Sequence, residues 1–280
     1  MSKDETSNMK AEVVKGAVEL AGRAYEDALQ GPAREIGRSL TAVGKTLNVA
    51  LAPLRGLVWG WERIEVFVAE SLERRLAEVA SERLQTPDPT VAGPVLEALR
   101  FAGENPDLRE MYANLLATAM DADSAHLAHP SFPEVVRQLN ADEAKLVRLL
   151  YQRRAFATVT VRSLDPGGPA GHDVLSNFTV AGVDANCSRP DLVSVYVENL
   201  DRLKVARLRP DYTLSESALY DRITAQDQYR QAIAAAEKGG RRSQAAKGSL
   251  LLTDFGLAFC FACVDEERWE ASGVIPDSQT

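Results

Sequence analysis

The sequence predicts a mainly α-helical protein, with an N-terminal helical bundle followed by an α+β module of winged-helix type. Two observations support this fold class. Apolar residues recur at steps of three and four through residues 1–140, which is the helical period. After Pro190 a helical pattern precedes two short apolar segments of strand type, the order of a winged-helix module. The 280 residues, 45% of them apolar, suffice for one large or two ordinary domains.

The N-terminal half of the chain begins with two helical segments. Residues 14–28 share one apolar face, and Gly31 with Pro32 ends this amphipathic helix. From Leu40 to Val68 the apolar steps alternate between three and four, which forms a seam that lets one helix lie along another. We expect this seam to be buried and to kink at Pro53.

Local signals predict the remaining bundle helices. Three prolines between residues 86 and 94 remove backbone donors, which predicts a non-helical linker. Asn105 before Pro106 predicts a helix over residues 106–120. Two more helices are predicted where a small polar residue precedes a glutamate by three positions, at Ser131 with Glu134 and at Asn140 with Glu143.

The pattern changes after Arg154. Segments rich in β-branched or aliphatic residues predict strands, at 157–161, 205–209 and 250–252. A loop rich in glycine and proline is predicted over 165–171, and a helix from Pro190 into Lys204. An inserted helix, about Ser217 to Glu237, leads into a basic loop at 239–243. This loop takes the place of the wing.

These patterns predict four regions along the chain. They are an N-terminal amphipathic helix (1–30), an α-helical bundle (31–154), a winged-helix-like module with an inserted helix and a basic loop (155–268), and a flexible tail (269–280). No internal repeat of solenoid type is visible.

The composition disfavours several classes of protein. With 32 basic and 40 acidic residues the net charge is −8, so the overall field does not attract nucleic acid. Three cysteines are too few for a disulfide framework, and the first residues lack the apolar core of a signal peptide. We therefore expect a cytoplasmic protein. The most apolar stretch, Ser39 to Trp61, contains Lys45 and Arg55 and does not read as a membrane span.

Several segments resemble the bacterial abortive-infection alpha (Abi-alpha) family. They are LNVALAPLRGLVWGW at 47–61, VAGPVLEAL at 91–99, LREMYANLLATAMD at 108–121, HPSF at 129–132, QLNADEAK at 138–145 and LTDFGLAF at 252–259. The resemblance covers residues 30–155 and 250–264. It implies an α-helical cytoplasmic protein that defends bacteria against phage, where the infected cell shuts down before the phage multiplies. It supplies no catalytic residue.

The densest set of potential metal ligands consists of Asp121, Asp123, His126 and His129. Carboxylate and imidazole groups suit a divalent transition metal, which needs three or four converging ligands. However, the two aspartates follow a predicted helix and His129 precedes a proline, which equally suits turn residues. We expect no bound metal and no cofactor.

Cys260 and Cys263 have the spacing of a redox pair or of half a zinc site. Their neighbours are small and apolar, and no second pair completes four zinc ligands. Because buried cysteine behaves as a small hydrophobic residue, the sequence predicts that both thiols pack in a core.

One segment of the chain is basic. Between residues 230 and 247 five cations face one acid, and the cations are Arg230, Lys238, Arg241, Arg242 and Lys247. Such a segment could contact nucleic-acid phosphates, anionic lipid or an acidic protein; a solvated loop is the alternative. We expect Arg241 and Arg242 to act in the encounter with an anionic partner and to contribute little to folding.

Two further features bear on partners. The helix from Pro190 to Lys204 carries three acids beside its cations, so it is a poor reader of the DNA major groove. Trp59 lies on the polar side of the seam and Trp61 on the apolar side, a pattern that would let the helix rest on a membrane surface. Packing within the domain is the alternative for this helix.

The leading hypothesis is a non-enzymatic defence protein that acts through protein or membrane-surface contacts. Its partner could be a phage protein or a second copy of the chain. A winged-helix DNA-binding regulator is the first alternative, and a metal-dependent enzyme using the Asp121 to His129 cluster is the second. No complete catalytic motif is visible in the sequence.

Overall fold

The computed structural model describes residues 60–264. The chain divides into two compact units, the first formed by Met1–Leu139 with Phe261–Thr280 and the second by Asn140–Cys260. The predicted helix over 14–28, the seam before residue 60, Trp59 and the tail lie outside the described residues.

The described part of the first unit is helical. Its helices are α1 (Trp61–Arg75), α2 (Pro89–Ala102), α3 (Pro106–Met120) and α4 (Phe132–Arg137). The start of α3 is confirmed, because the Asn105 side chain accepts hydrogen bonds from the backbone N–H groups of Asp107 and Leu108 at 3.1 and 3.3 Å. α4 begins where predicted, but Ser131 makes no side-chain capping hydrogen bond.

α2 begins inside the segment that the sequence predicts to be a non-helical linker, so that prediction is wrong from Pro89 onward. Pro89 lies in the first turn, where a backbone N–H has no helical partner. The Asp88 side chain caps the helix by accepting from the Thr90 N–H at 2.8 Å. Pro94 removes a hydrogen bond from the helix interior, but α2 buries an apolar face that includes Val95 and Leu99. Burial of two such side chains contributes about 3 to 6 kcal/mol, which offsets the proline.

The described end of the predicted seam is buried. Ile64 and Val68 of α1 expose only 1% and 2% of their surface, and Leu72, four residues further on, exposes 1%. This i, i+4 spacing places all three on one face of α1. The prediction of a buried seam is confirmed for this end, and for the part before residue 60 it stays a prediction.

The second unit is built around an antiparallel sheet. Its strands are β1 (Ala155–Leu164), β2 (Gly171–Phe178), β3 (Ala206–Arg209) and β4 (Arg242–Leu252), in the order β2-β1-β4-β3. Its helices are α5 (Ala141–Arg153), α6 (Ala181–Asp184), α7 (Val193–Arg202), α8 (Ser217–Thr224) and α9 (Asp227–Ala236). The last helix, α10 (Asp254–Cys263), belongs to this unit as far as Cys260. The described chain is therefore mixed α+β rather than mainly α.

Both faces of this sheet carry buried side chains. The Ser163 hydroxyl of β1 donates to the Ala236 carbonyl at 2.6 Å, and the Tyr220 hydroxyl donates to the Gly248 carbonyl of β4 at 2.9 Å. The inserted helices α8 and α9 thus pack on the sheet. Phe156 and Leu250, which are register partners, lie on the opposite face from Ser163 by strand alternation and are also buried.

The three predicted strands are confirmed in position, but two elements differ. β4 begins at Arg242 and pairs with β1 along ten residues, so residues 242 and 243 of the predicted loop belong to a strand. The inserted helix is two helices, α8 and α9, separated at Ala225 and Gln226. β2 and α6 were not predicted, because residues 171–184 carry no clear alternation or helical period.

The boundary between the units comes one helix earlier than predicted. The sequence predicts it after Arg154, whereas the contacts place it between Leu139 and Asn140. α5 therefore belongs to the second unit. Its start has the predicted capping box, in which the Asn140 side chain accepts from the Glu143 N–H and Glu143 accepts from the Asn140 N–H, both at 2.8 Å.

Candidate functional site

Three of the five basic residues singled out in the sequence make ion pairs or a cation–π contact within the second unit. Arg230 pairs with Asp227 at 2.6 Å. Arg241 is half-buried, and its guanidinium contacts Asp165 at 2.5 Å and the Ser163 hydroxyl at 2.6 Å.

The Lys247 ammonium lies 4.8 Å from the centre of the Tyr220 ring, within cation–π range. Lys238 and Arg242 are exposed and have no ion pair among the described residues. The prediction that Arg241 contributes little to folding conflicts with its contacts, because reversing its charge would break an ion pair inside the fold. A test of partner binding should change Lys238 and Arg242 instead.

The candidate metal ligands do not converge. Asp121 accepts two hydrogen bonds from Arg83, at 3.0 and 2.5 Å, and Asp123 pairs with the same guanidinium at 2.9 Å. His129 Nδ1 lies 2.7 Å from the Ser131 hydroxyl, and His126 is exposed. Within residues 60–264 no group of three or more His, Cys, Asp or Glu side chains is placed to hold a metal ion. The arrangement serves the turn after α3.

We expect protein purified without a histidine tag to contain well under one equivalent of zinc, manganese or iron, because tight binding needs three or four converging ligands. Elemental analysis by mass spectrometry measures this directly. One tightly held equivalent, lost when His126 and His129 are both changed to alanine, would contradict the expectation and favour a metal-dependent enzyme.

The three cysteines, all among the described residues, are buried and form no disulfide. Burial raises the pKa of Cys187 to about 11 and raises the pKa of Cys260 further. Because the thiolate is the nucleophile and the metal ligand, neither thiol is poised for chemistry at neutral pH. The predicted packing role of Cys260 and Cys263 is confirmed by their burial.

A buried carboxylate fastens α5 to the turn before α7. Asp142 is 6% exposed and accepts hydrogen bonds from the backbone N–H groups of Ser188 and Arg189 at 2.7 and 2.9 Å. The Tyr196 hydroxyl lies 3.3 Å from the same carboxylate, and the Lys145 ammonium 3.4 Å. Sequence reasoning explained Glu143 as a cap and missed Asp142, since Ser188, Arg189 and Tyr196 are more than 40 residues away in sequence.

This turn presents apolar side chains to solvent. Val183 of α6 is 62% exposed, and Leu192 and Val195 at the start of α7 are 38% and 59% exposed. α6 packs directly on the first residue of α7: a Cβ added at Gly182 of α6 would lie only 3.2 Å from the Cβ of Val193. We call Val183, Leu192 and Val195 the α6–α7 surface. Leu192 and Val195 lie three positions apart, which places them on one side of the helix.

The described residues contain no helix that is long and apolar enough to cross a membrane. Trp61, which the sequence places on the apolar side of the seam, is half-buried at the start of α1.

Comparison with known proteins gives one family. The sequence profile named Abortive infection alpha matches residues 60–263, which includes described residues of both units. No curated protein matches the chain. A solved structure of an uncharacterized protein from the hydrocarbon-degrading marine bacterium Alcanivorax borkumensis SK2 is similar, at 21% identity and a TM-score of 0.36, over 49% of this chain and 92% of that one. Because the profile matches well over half of the sequence, the chain belongs to the abortive infection alpha family.

Proposed function

We propose that this protein acts in abortive infection as a non-enzymatic binding protein, and that its partner is another protein held at the α6–α7 surface. Membership in the family supports the defence role. The exposure of Val183, Leu192 and Val195 is the observation that supports the binding surface, because aliphatic side chains gain free energy when a partner covers them.

The order of elements in the second unit supports a winged-helix architecture. α5, β1, α6, α7, β3 and β4 follow one another along the chain as in such a module, and β1, β4 and β3 are neighbours in the sheet. β2 extends the sheet at one edge, and α8 with α9 is inserted at the wing between β3 and β4. In this arrangement α7 takes the place of the recognition helix.

The exposed side of α7 favours a protein partner over DNA. Base edges in the major groove are read mainly by Arg, Lys, Asn and Gln side chains. α7 instead exposes Val195 and Glu198, with Leu192 just before its first residue, and its Arg202 guanidinium is held by Asn199 at 2.6 Å. The second unit as a whole is close to neutral, with 16 basic and 14 acidic residues.

We expect the double variant Leu192→Glu and Val195→Glu to abolish protection against phage while leaving the fold intact, since both side chains are on the surface and such changes alter stability by about 0.5 kcal/mol or less. Ala234→Glu on the exposed side of α9 is the matched control. The measurement is culture survival with and without the protein at low and high phage dose. Abortive infection rescues the culture only at low dose.

Different results are expected if the protein is a DNA-binding regulator. Duplex DNA should then retain the protein at low salt, with an affinity that falls steeply as salt rises, and Lys238→Glu with Arg242→Glu should remove the retention. Protection that survives the Leu192 and Val195 changes but is lost with the Lys238 and Arg242 changes would favour this alternative.

A further inference from the structure

A cleft in the second unit lies between the end of α5, the start of β1, α6 and α8. The cleft is small and open to solvent, with a volume of about 30 Å³, so most of a bound molecule lies at its mouth. Its walls combine apolar side chains, such as Val180 and Leu219, with the charged side chains of Arg153, Asp184 and Arg222. None of these residues stands out in the sequence, because the three charges come from three separate helices.

Two guanidinium groups converge on one carboxylate in this cleft. Arg222 forms a bidentate pair with Asp184, at 2.6 and 3.0 Å, and Arg153 Nη1 contacts Asp184 Oδ2 at 2.5 Å. The Arg222 guanidinium, by its hydrogen bonds, and the Arg153 guanidinium hold the pKa of Asp184 below its ordinary value. The carboxylate is therefore ionised at neutral pH, and the three groups together carry one net positive charge.

The guanidinium groups keep donors that Asp184 does not use. The Asp184 side chain is 10% exposed, whereas those of Arg153 and Arg222 are 45% and 49% exposed. The carboxylate thus lies beneath the two guanidinium groups and fixes their positions. Arg153 Nε and Nη2 and Arg222 Nε have no hydrogen-bond partner among the described residues. Fixed guanidinium donors of this kind bind the oxygens of phosphate and similar oxyanions.

We propose that this cleft is a binding site for the phosphate group of a small phosphate monoester, held by Arg153 and Arg222. The apolar body of the ester lies against Leu219, which is half-buried at the cleft wall. A phosphate there bridges α5 and the inserted helix α8. Occupancy therefore stabilises the position of the inserted helix, and this site is separate from the α6–α7 surface proposed above to bind a protein.

Calorimetric titration of the full chain with three probes tests the site. Phenyl phosphate should bind saturably, inorganic phosphate several-fold more weakly, and phenol not at all. Equal affinities for phenyl phosphate and inorganic phosphate would show that the ligand is free phosphate. The site is absent if phenyl phosphate at about 10 mM gives no saturable binding, a limit near −3 kcal/mol of binding free energy.

Variants separate this site from nonspecific charge. Arg153→Gln should weaken phenyl phosphate binding at least tenfold, because it removes one of the two guanidinium groups that hold the phosphate. Arg189→Gln is the matched control, since Arg189 is an exposed arginine whose side chain pairs with Asp191 and does not line the cleft. Equal losses in the Arg153 and Arg189 variants would overturn the proposal. If Arg153→Gln does not fold, Arg153→Lys keeps the charge without the planar fork, and unchanged binding by this variant would contradict recognition by the guanidinium.

Discussion

Gly256→Ala should destabilise the second unit by about 3 kcal/mol or more, because the added methyl group has no space. A Cβ on Gly256 would lie 1.8 Å from the Val205 carbonyl oxygen and 2.7 Å from its carbonyl carbon. These are backbone atoms, so no side-chain rotation relieves the overlap. Either α10 or the chain entering β3 must move.

The close contact at Gly256 is held by a capping residue. The Thr253 hydroxyl accepts a hydrogen bond from the Gly256 N–H at 2.8 Å and donates to the Lys204 carbonyl at 2.5 Å. Thr253 therefore starts α10 and joins it to the chain before β3. This geometry gives a physical reason for the threonine and the glycine within LTDFGLAF, the segment that resembles the family near the C-terminal end.

Hydrogen exchange of the β3 and β4 amides, followed by mass spectrometry, measures the effect on the second unit. Tryptophan fluorescence is not used, because residues 140–260 contain no tryptophan. Gly168→Ala is the control, since that glycine lies in the β1–β2 loop with no atom nearer than 3.9 Å to an added Cβ. Equal exchange in both variants would contradict the steric argument.

Local signals predicted element starts well where one residue type determines the geometry. Asn105 before a first-turn proline and the Asn140–Glu143 capping box both start helices at the predicted residues. The prediction of a non-helical linker is wrong from Pro89 onward, because three nearby prolines do not by themselves exclude a helix. A proline in the first turn is compatible with a helix, and burial of the apolar face of α2 stabilises the helix in this segment.

The candidate sites could not be predicted in the same way, because their residues meet only in the folded chain. Arg153 lies 31 residues before Asp184 in the sequence, and Arg222 lies 38 residues after it. Charge runs along the sequence pointed instead to residues 230–247, where Arg230 and Arg241 prove to be paired inside the unit. The exposure of Leu192 and Val195 could not be predicted either, since the sequence of an aliphatic helix face does not indicate whether another element covers it.

Asp142→Ala should destabilise the second unit by about 2 to 4 kcal/mol, because the change removes a buried acceptor from two backbone N–H groups and from Tyr196. Exchange of the α5 and α7 amides should rise. Asp191→Ala is the matched control in the same turn, since that carboxylate is exposed and pairs with the exposed Arg189 side chain, so stability should be nearly unchanged. Equal effects of the two changes would show that Asp142 is not the anchor of this turn.

The effect of Asp142→Ala should depend on pH in one direction. Burial alone would raise the pKa of Asp142, but the Ser188 and Arg189 N–H groups and the Lys145 ammonium hold it below its ordinary value of 3.8. The unfolded chain then binds the proton more tightly, so the contribution of Asp142 is complete above about pH 4 and is lost as pH falls through the folded pKa. The neighbouring Glu143 affects stability in the opposite direction, because burial raises its pKa, but it is present in both proteins and only the smallest cause of its shift, the charge of Asp142, differs between them. The difference in unfolding free energy between wild type and variant, measured by urea titration with circular dichroism, should therefore shrink between pH 7 and pH 3. A difference that stays constant over this range would show that the ionised carboxylate is not what holds α5 to the turn.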